Sequence, residues 1–325
     1  MRVAAIDCGT NSLRLLVADV DPAAGTLTDV DRRMEIVRLG QGVDATGRLA
    51  PAALARTMGA LRSYAELVAA AGATAVRMVA TSATRDAANA ADFVTGVRGV
   101  LGVGPEVLSG DEEALLSFTG ATTELAAAAR PDAGGGRAAA GPVAPPYLVA
   151  DIGGGSTEFV LGAPPVVGGA VSVDIGCVRM TERHLRSDPP TPAEVAAARA
   201  DIGAALDAVA AKIAVADART LVGLAGSVTT VAALALGLDA YDAGRIHHAR
   251  IGAGQVHEQT ARLLAMPQAE RARLGVMHPG RVDVIGGGAL ELEAIMTRFG
   301  FTEVVASEHD ILDGIAWSLA AGGPG

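Results

Sequence analysis

Asp7-Cys-Gly-Thr-Asn-Ser12 and Asp151-Ile-Gly-Gly-Gly-Ser156 share the spacing D-x-G-x-x-S, and each ends one apolar run and opens another. A glycine-rich turn between two strands aims several backbone N–H groups at one point, a concavity that suits phosphate oxygens. Either turn alone could be no more than a tight reversal. Three consecutive glycines, however, weaken a strand and cost conformational entropy, so they make sense where the backbone must approach something closely. The residue after the turn differs between the copies: Arg14 suits phosphate, and Glu158 suits a cation. Asp151 and Glu158 flank the GGGST turn on opposite strands, so their carboxylates could converge on one Mg²⁺, which prefers oxygen ligands. A solvated surface pair is the plainer alternative.

Three further features could serve the same chemistry. The turn Gly223-Leu-Ala-Gly226-Ser227 lies between an apolar strand and a helical pattern, and a helix N-terminus is a seat for anions. Ser227 could equally be the N-cap, and the two roles are compatible. Arg85 follows the strand Ala75 to Ala80 and the turn Thr81 to Thr84, where a parallel strand opens at its carboxyl end. Bidentate phosphate contact fits that guanidinium, and a helix-surface arginine is the alternative. Glu112 and Glu113 open a helix after Ser109-Gly110, and acids there gain from the helix dipole whatever the function. Consecutive helical residues differ in direction by about 100°, so spacing does not say which of the two faces a site as a general base.

The elements that must position these groups repeat. Val3 to Val17 and Tyr147 to Leu161 align without gaps at an offset of 144, each reading as a hairpin. Third strands follow at Thr26 to Leu39 and Pro165 to Asp174. The first half continues as helix Pro51 to Ala71, strand Ala75 to Ala80, helix Arg85 to Val100, strand Pro105 to Leu108 and helix Asp111 to Ala129. The second half has helix Thr191 to Ile213, strand Thr220 to Ala225, helices Ser227 to Leu236 and Pro279 to Phe299, strand Glu303 to Ala306 and helix His309 to Ala321. This alternation predicts an α/β fold with mostly parallel sheets. Between the halves, residues 129–146 are rich in Gly, Ala and Pro without periodicity and read as a flexible excursion.

Composition narrows the function. At 325 residues, 50% hydrophobic and 19% charged, the chain can bury two cores. A net charge of −10 repels polyanions at large, so nucleic acid is not an expected partner and any anion must be held locally. Lys212 is the sole lysine and lies in no glycine-rich motif, which excludes a P-loop. Two cysteines, Cys8 and Cys177, exclude a disulfide framework and suit a reducing cytoplasm. Of the six histidines, His247 and His248 are adjacent and point different ways, which reads against a histidine metal site. No uninterrupted apolar stretch reads as a signal peptide, and Thr220 to Leu238, broken by glycines and hydroxyls, is no membrane span.

On these residues the chain resembles the exopolyphosphatase and guanosine pentaphosphate phosphohydrolase (Ppx/GppA) family of the actin, sugar-kinase and heat-shock-chaperone superfamily. The resemblance rests on AAIDCGTNSLRLLVAD (Ala4 to Asp19), VATSATRDAANA (Val79 to Ala90), LSGDEEALLSFTGA (Leu108 to Ala121), DIGGGSTEF (Asp151 to Phe159), GLAGSVTT (Gly223 to Thr230) and GRVDVIGGGAL (Gly280 to Leu290). It implies a catalytic glutamate at Glu113, with Glu112 beside it, and metal-associated carboxylates at Asp151 and Glu158, with Asp7 the corresponding acid of the first copy. The phosphate loops it implies are Gly9, Thr10, Asn11 and Ser12, and Gly153, Gly154, Gly155, Ser156 and Thr157. Arg85 takes the place of a phosphate-binding arginine, Arg14 departs from the family's usual residue, and Gly226 and Ser227 form the third anion seat.

The resemblance also implies two ribonuclease-H-like domains, residues 1–125 with 307–325 and residues 126–306, the last helix returning to the first domain and the active site in the cleft between them. The implied reaction is Mg²⁺-dependent hydrolysis (Mn²⁺ as substitute) of the terminal phosphoanhydride of inorganic polyphosphate, releasing orthophosphate. Larger members add C-terminal helical domains, so a chain stopping at Gly325 points to short polyphosphates. A second copy of the chain is a candidate partner; a membrane is not. Removal of the 5′-phosphate of guanosine pentaphosphate, in the stringent response, is the alternative within this chemistry. The small number of aromatic rings (one Trp, three Tyr, five Phe) leans away from a guanine pocket. A non-catalytic sensor of guanosine tetraphosphate or polyphosphate is disfavoured by the intact Glu113, Asp151 and Glu158. A sugar or acetate kinase would require ATP and an acceptor.

Overall fold

The computed structural model of the chain describes residues 1–128 and 143–322. Most of the excursion expected at 129–146 therefore lies outside the described residues. The chain divides into two compact units, Met1–Gly120 with Ile311–Gly325, and Ala121–Asp310.

In the first unit, β1 (Arg2–Cys8), β2 (Ser12–Asp21), β3 (Thr26–Ile36), β4 (Ala75–Ala80) and β5 (Glu106–Val107) form one sheet in the order β3-β2-β1-β4-β5. β1 pairs antiparallel with β2 and parallel with β4. Buried Val and Leu on both faces of β1 and β2 make these strands a two-sided core. On one face packs α1 (Pro51–Ala71), started by Pro51 and ended by Gly72 at φ 69, with Leu61, Tyr64 and Val68 turned inward. Tyr64 Oη donates to Leu13 O at 3.1 Å, seating α1 on β2. The same face takes Phe93 and Val97 of α2 (Ala90–Leu101). On the other face, Val3, Ala5, Leu16 and Ala18 meet Ile311, Leu312 and Ile315 from the chain's last helix.

The expected helix from Arg85 to Val100 is two pieces, a short turn Ser82–Arg85 and α2. The break is tertiary in origin. Asn89 exchanges both its amide groups with the backbone of Leu49, and Ala88 N–H donates to Gly47 O at 2.9 Å, so the intervening residues are held out of helical register. Arg85 is thereby placed on its own turn. α3 (Gly110–Ala128) follows β5.

In the second unit, β6 (Tyr147–Ile152), β7 (Thr157–Ala163), β8 (Val166–Val173), β9 (Thr220–Leu224), β10 (Arg250–Gly252) and β11 (Glu303–Ala306) form a sheet in the order β10-β11-β9-β6-β7-β8. Read from the third strand inward, β8-β7-β6-β9-β11 repeats β3-β2-β1-β4-β5, with β10 added at the edge. Its helices are α4 (Cys177–His184), α5 (Pro192–Lys212), α6 (Ala225–Ala235), α7 (Ala253–Ala265) and α8 (Ile285–Phe299), with α9 (Ile311–Ala320) belonging to the first unit. Thr191 and Glu194 form a capping box for α5, whose Ala198, Ile202, Leu206 and Val209 line up along its buried face. Two helices, α4 and α7, have no counterpart in the expected elements. α8 begins at Ile285, after a separate turn Pro279–Arg281, instead of at Pro279. Among the described residues no helix is long and apolar enough to cross a membrane.

Candidate active site

The turn between β1 and β2 is closed by Gly9 N–H donating to Ser12 O at 3.0 Å. Its carbonyls are tied to the segment after β3: Thr10 O accepts Gly40 N–H at 2.8 Å, and Asn11 O accepts Val37 and Arg38 N–H at 3.1 and 2.8 Å. Thr10 Oγ1 lies 2.9 Å from Ser82 Oγ, which joins the turn to the Ser82–Arg85 turn. The two are neighbours because Cys8 and Ala80 are register partners in the parallel pair β1–β4. Arg85 Nη1 donates to Leu108 O at 2.8 Å and pairs with Glu113 Oε2 at 3.3 Å. The first unit therefore gathers Gly9–Ser12, Ser82–Arg85 and Glu113.

The fold separates the two glutamates that spacing left equivalent. Glu112 is exposed, and its Oε2 accepts the Ser109 N–H at 2.9 Å and the Ser109 hydroxyl at 2.8 Å, a reciprocal cap on α3. The Ser109 N–H, more than any charge, holds its carboxyl below the usual range. Glu112 is thus a capping residue, while Glu113 is 8% exposed and faces Arg85.

The second turn has the same closing bond, Gly153 N–H to Ser156 O at 3.1 Å. Here the carbonyls are held by the start of α4: Gly153 O accepts Cys177 N–H, Gly154 O accepts Val178 and Arg179 N–H, and Gly155 O accepts Arg179 Nε. With the carbonyl side held by the helix, the amides of Gly154, Gly155 and Ser156 take no part in these contacts. Thr157 is fully buried, and its hydroxyl bonds Glu291 of α8. Its hydroxyl is thus taken up by the Glu291 side chain.

Glu291 is 0% exposed, and its Oε2 has no hydrogen-bond partner. Burial pushes its carboxyl up to about 8, against the opposing pull of the Thr157 hydroxyl. Sequence reading passed over Glu291 because it sits in an apolar helix with nothing local to mark it.

The expected metal ligands sort by register. Asp151 and Glu158 are direct partners across β6–β7, so both side chains lie on one sheet face, and both residues are buried, at 7% and 2%. Ser172 of β8, the next partner in that row, donates to Glu158 Oε1 at 2.7 Å. Two buried carboxylates on facing positions are an oxygen-only donor set with like charges, which a divalent cation such as Mg²⁺ would neutralise. The residues fit the ion. In the first unit the equivalent partners are Asp7 and Arg14, and Arg14 places Nε at 3.0 Å and Nη2 at 2.6 Å from Asp7 Oδ2. A guanidinium stands there in the place of a second carboxylate, holding Asp7 through Oδ2.

At the third turn, α6 starts at Ala225, two residues before the expected Ser227, so Ser227 is not its N-cap. The Ser227 hydroxyl lies in the helix packing instead: a Cβ built at Gly288 would come within 2.1 Å of Ser227 Oγ. Gly226 makes room for Arg281, whose Cζ would be 1.8 Å from a Cβ at that position. Arg281 thus brings a guanidinium to the N-terminus of α6. Nothing local in the sequence marks Arg281 for that place, although it lies within GRVDVIGGGAL.

The Ppx/GppA phosphatase family model matches residues 16–321. Exopolyphosphatase 2 of Mycobacterium tuberculosis is 51% identical over 330 aligned positions, covering 98% of each chain. A guanosine-5′-triphosphate,3′-diphosphate pyrophosphatase of Aeromonas salmonicida is 29% identical, covering 97% of this chain and 59% of its own. The crystal structure of an exopolyphosphatase-like protein superimposes with a TM-score of 0.90 at 40% identity, covering 99% of both chains. With a glycine turn in each of the two hairpins and the buried Glu113 in place, the chain belongs to the Ppx/GppA phosphatase family.

Proposed function

We propose that the protein is an exopolyphosphatase that hydrolyses the terminal phosphoanhydride of inorganic polyphosphate in a reducing cytoplasm. The observation that carries this reading is the buried Glu113 held against Arg85, in a chain so similar along its length to Exopolyphosphatase 2. Glu113 accepts a proton from water as the water oxygen attacks the terminal phosphorus. The bond from that phosphorus to the bridging oxygen breaks, and the shortened chain leaves with the bridging oxygen. Arg85, paired with Glu113 in the free protein, has the fork geometry to turn to the transferred phosphoryl group, and the amides of Gly154, Gly155 and Ser156 serve as fixed donors to phosphate oxygens. A divalent cation held by Asp151 and Glu158 would supply charge neutralisation for the phosphate oxygens.

The test is phosphate release by Glu113→Gln, expected to fall about 10²- to 10⁴-fold with little change in substrate affinity, while Glu112→Gln stays near wild type. Ordinary turnover in Glu113→Gln would remove the assignment. The second reading, guanosine pentaphosphate as substrate, is favoured by the Aeromonas relative but at much lower identity. Specificity constants on polyphosphate and guanosine pentaphosphate, measured side by side, decide between the two.

A further inference from the structure

Three side chains that the proposed reaction does not use meet at one point in the second unit. They are Glu124 on α3, His247 after the short turn Ala243–Ile246, and His309 in the segment between β11 and α9. His247 Nε2 lies 3.1 Å and His309 Nδ1 3.0 Å from the same oxygen, Glu124 Oε2. The two imidazole rings are 4.5 Å apart, and the three donor atoms lie within 4.8 Å of one another. His248, the sequence neighbour that made a histidine site look improbable, stacks on His247 at 3.7 Å and so supports the ring without competing for the same point. The ligands come from three distant parts of the chain, so no local spacing announces them.

We propose that Glu124, His247 and His309 form a binding site for a divalent transition metal, with zinc the best match. Two imidazole nitrogens and one carboxylate oxygen are a borderline donor set that suits zinc, whereas magnesium prefers oxygen alone. Three protein ligands leave a fourth tetrahedral position for water or an anion. The protons balance without an outside reactant. His247 Nδ1 accepts the Glu308 N–H at 3.2 Å, so the neutral ring carries its proton on Nε2 and donates it to Glu124. On metal binding through Nε2 that proton passes to Nδ1, and the bond from Glu308 N–H is given up. His309 shifts its proton from Nδ1 to Nε2. Occupancy is therefore coupled to the backbone of Ser307 to Asp310, which leads to the boundary between Asp310 and Ile311. Glu124 stands four residues beyond the other boundary, between Gly120 and Ala121. One ion would thus pin together the two segments through which the chain passes from unit to unit.

The site is independent of the proposed hydrolysis and can be read without it. The chelator-treated full chain is titrated with Co²⁺, followed by visible ligand-field absorption, and then with Zn²⁺. One equivalent of Co²⁺ should give a low-coordinate spectrum that Zn²⁺ displaces. Glu124→Gln and His309→Asn should each weaken binding by at least about 10-fold. His257→Asn, an exposed histidine elsewhere, and Asp151→Asn, in the proposed magnesium site, should leave that band unchanged. Should the variants fold poorly, the ring-nitrogen NMR signals of His247 and His309 in the wild-type chain must shift on adding Zn²⁺. No saturable band up to millimolar Co²⁺, a band that persists in both Glu124→Gln and His309→Asn, or unshifted ring nitrogens would each overturn the site.

Discussion

The hairpins β1–β2 and β6–β7 share strand order, opposed register and the same closing bond across the turn, Gly9 to Ser12 in one and Gly153 to Ser156 in the other. Where they differ is in the charge of one cross-strand partner. Asp7 faces Arg14, and the pair is neutral within the chain, whereas Asp151 faces Glu158, and the pair has an excess of negative charge. A duplicated scaffold has in this way produced one wall that sets a guanidinium beside its aspartate and one that sets a second carboxylate there. The anchors differ too. An irregular segment after β3, with Arg38 at φ 51, holds the first turn, while the N-terminus of a helix after β8 holds the second.

The comparison can be broken most directly by copying one hairpin's charge into the other. Glu158→Arg should fold and yet lose about 10²- to 10³-fold in phosphate release, together with its response to Mg²⁺. Retained Mg²⁺-dependent turnover would dissolve the distinction between the walls. Asp7→Asn tests the opposite side by leaving the Arg14 guanidinium without its carboxylate. It should cost about 3 kcal/mol in urea unfolding, since removing one member of a buried pair strands the other. A stability equal to wild type would mean that the pair is not what neutralises the first wall.

Behind the second turn, Glu291 predicts a pH effect. Its folded value, about 8, lies above the ordinary 4.5, so the folded chain keeps a proton that the unfolded chain releases. Stability contributed by this group is greatest below the unfolded value and is lost as pH rises through the window from 4.5 to about 8. Between about pH 5 and about pH 7 wild type should lose about 2 kcal/mol that Glu291→Gln does not, read as diverging melting temperatures. Parallel melting curves would contradict it. The smallest effect is expected at Cys8, which is 1% exposed and whose thiol is pushed up by burial and by Asp7. Cys8→Ser should keep activity within about two-fold, because the thiol is a buried filler of the strand and not a reactive group. A folded but inactive Cys8→Ser would give the first turn a chemistry absent from the second.

Much of this architecture was legible because its signals are local. Apolar runs closed by aspartate and glycine mark both hairpins, Pro51 and Gly72 bracket α1, and the offset of 144 exposes the duplication. The short helix α4 was not legible, although it holds the GGGST turn, because Cys177, Val178 and Met180 mark its buried side over only eight residues, too few turns for a helical period to stand out. Arg281 and Glu291 belong to the same class, since a guanidinium set on a glycine and a carboxyl buried under a threonine exist only through contacts across more than fifty residues of chain.

By itself the amino-acid sequence determined the element order, the repeated turns and the set of acids and arginines available for phosphate chemistry, since periodicity and turn residues act over a few neighbours. The tertiary structure alone decided which of these acids does what. Glu112 caps α3 while Glu113 meets Arg85, Asp7 finds a guanidinium while Asp151 finds a second carboxylate, and two histidines from distant loops converge on Glu124. The physical reason is that a carboxylate's role is set by the charge and burial around it, and those are supplied by partners far away along the chain.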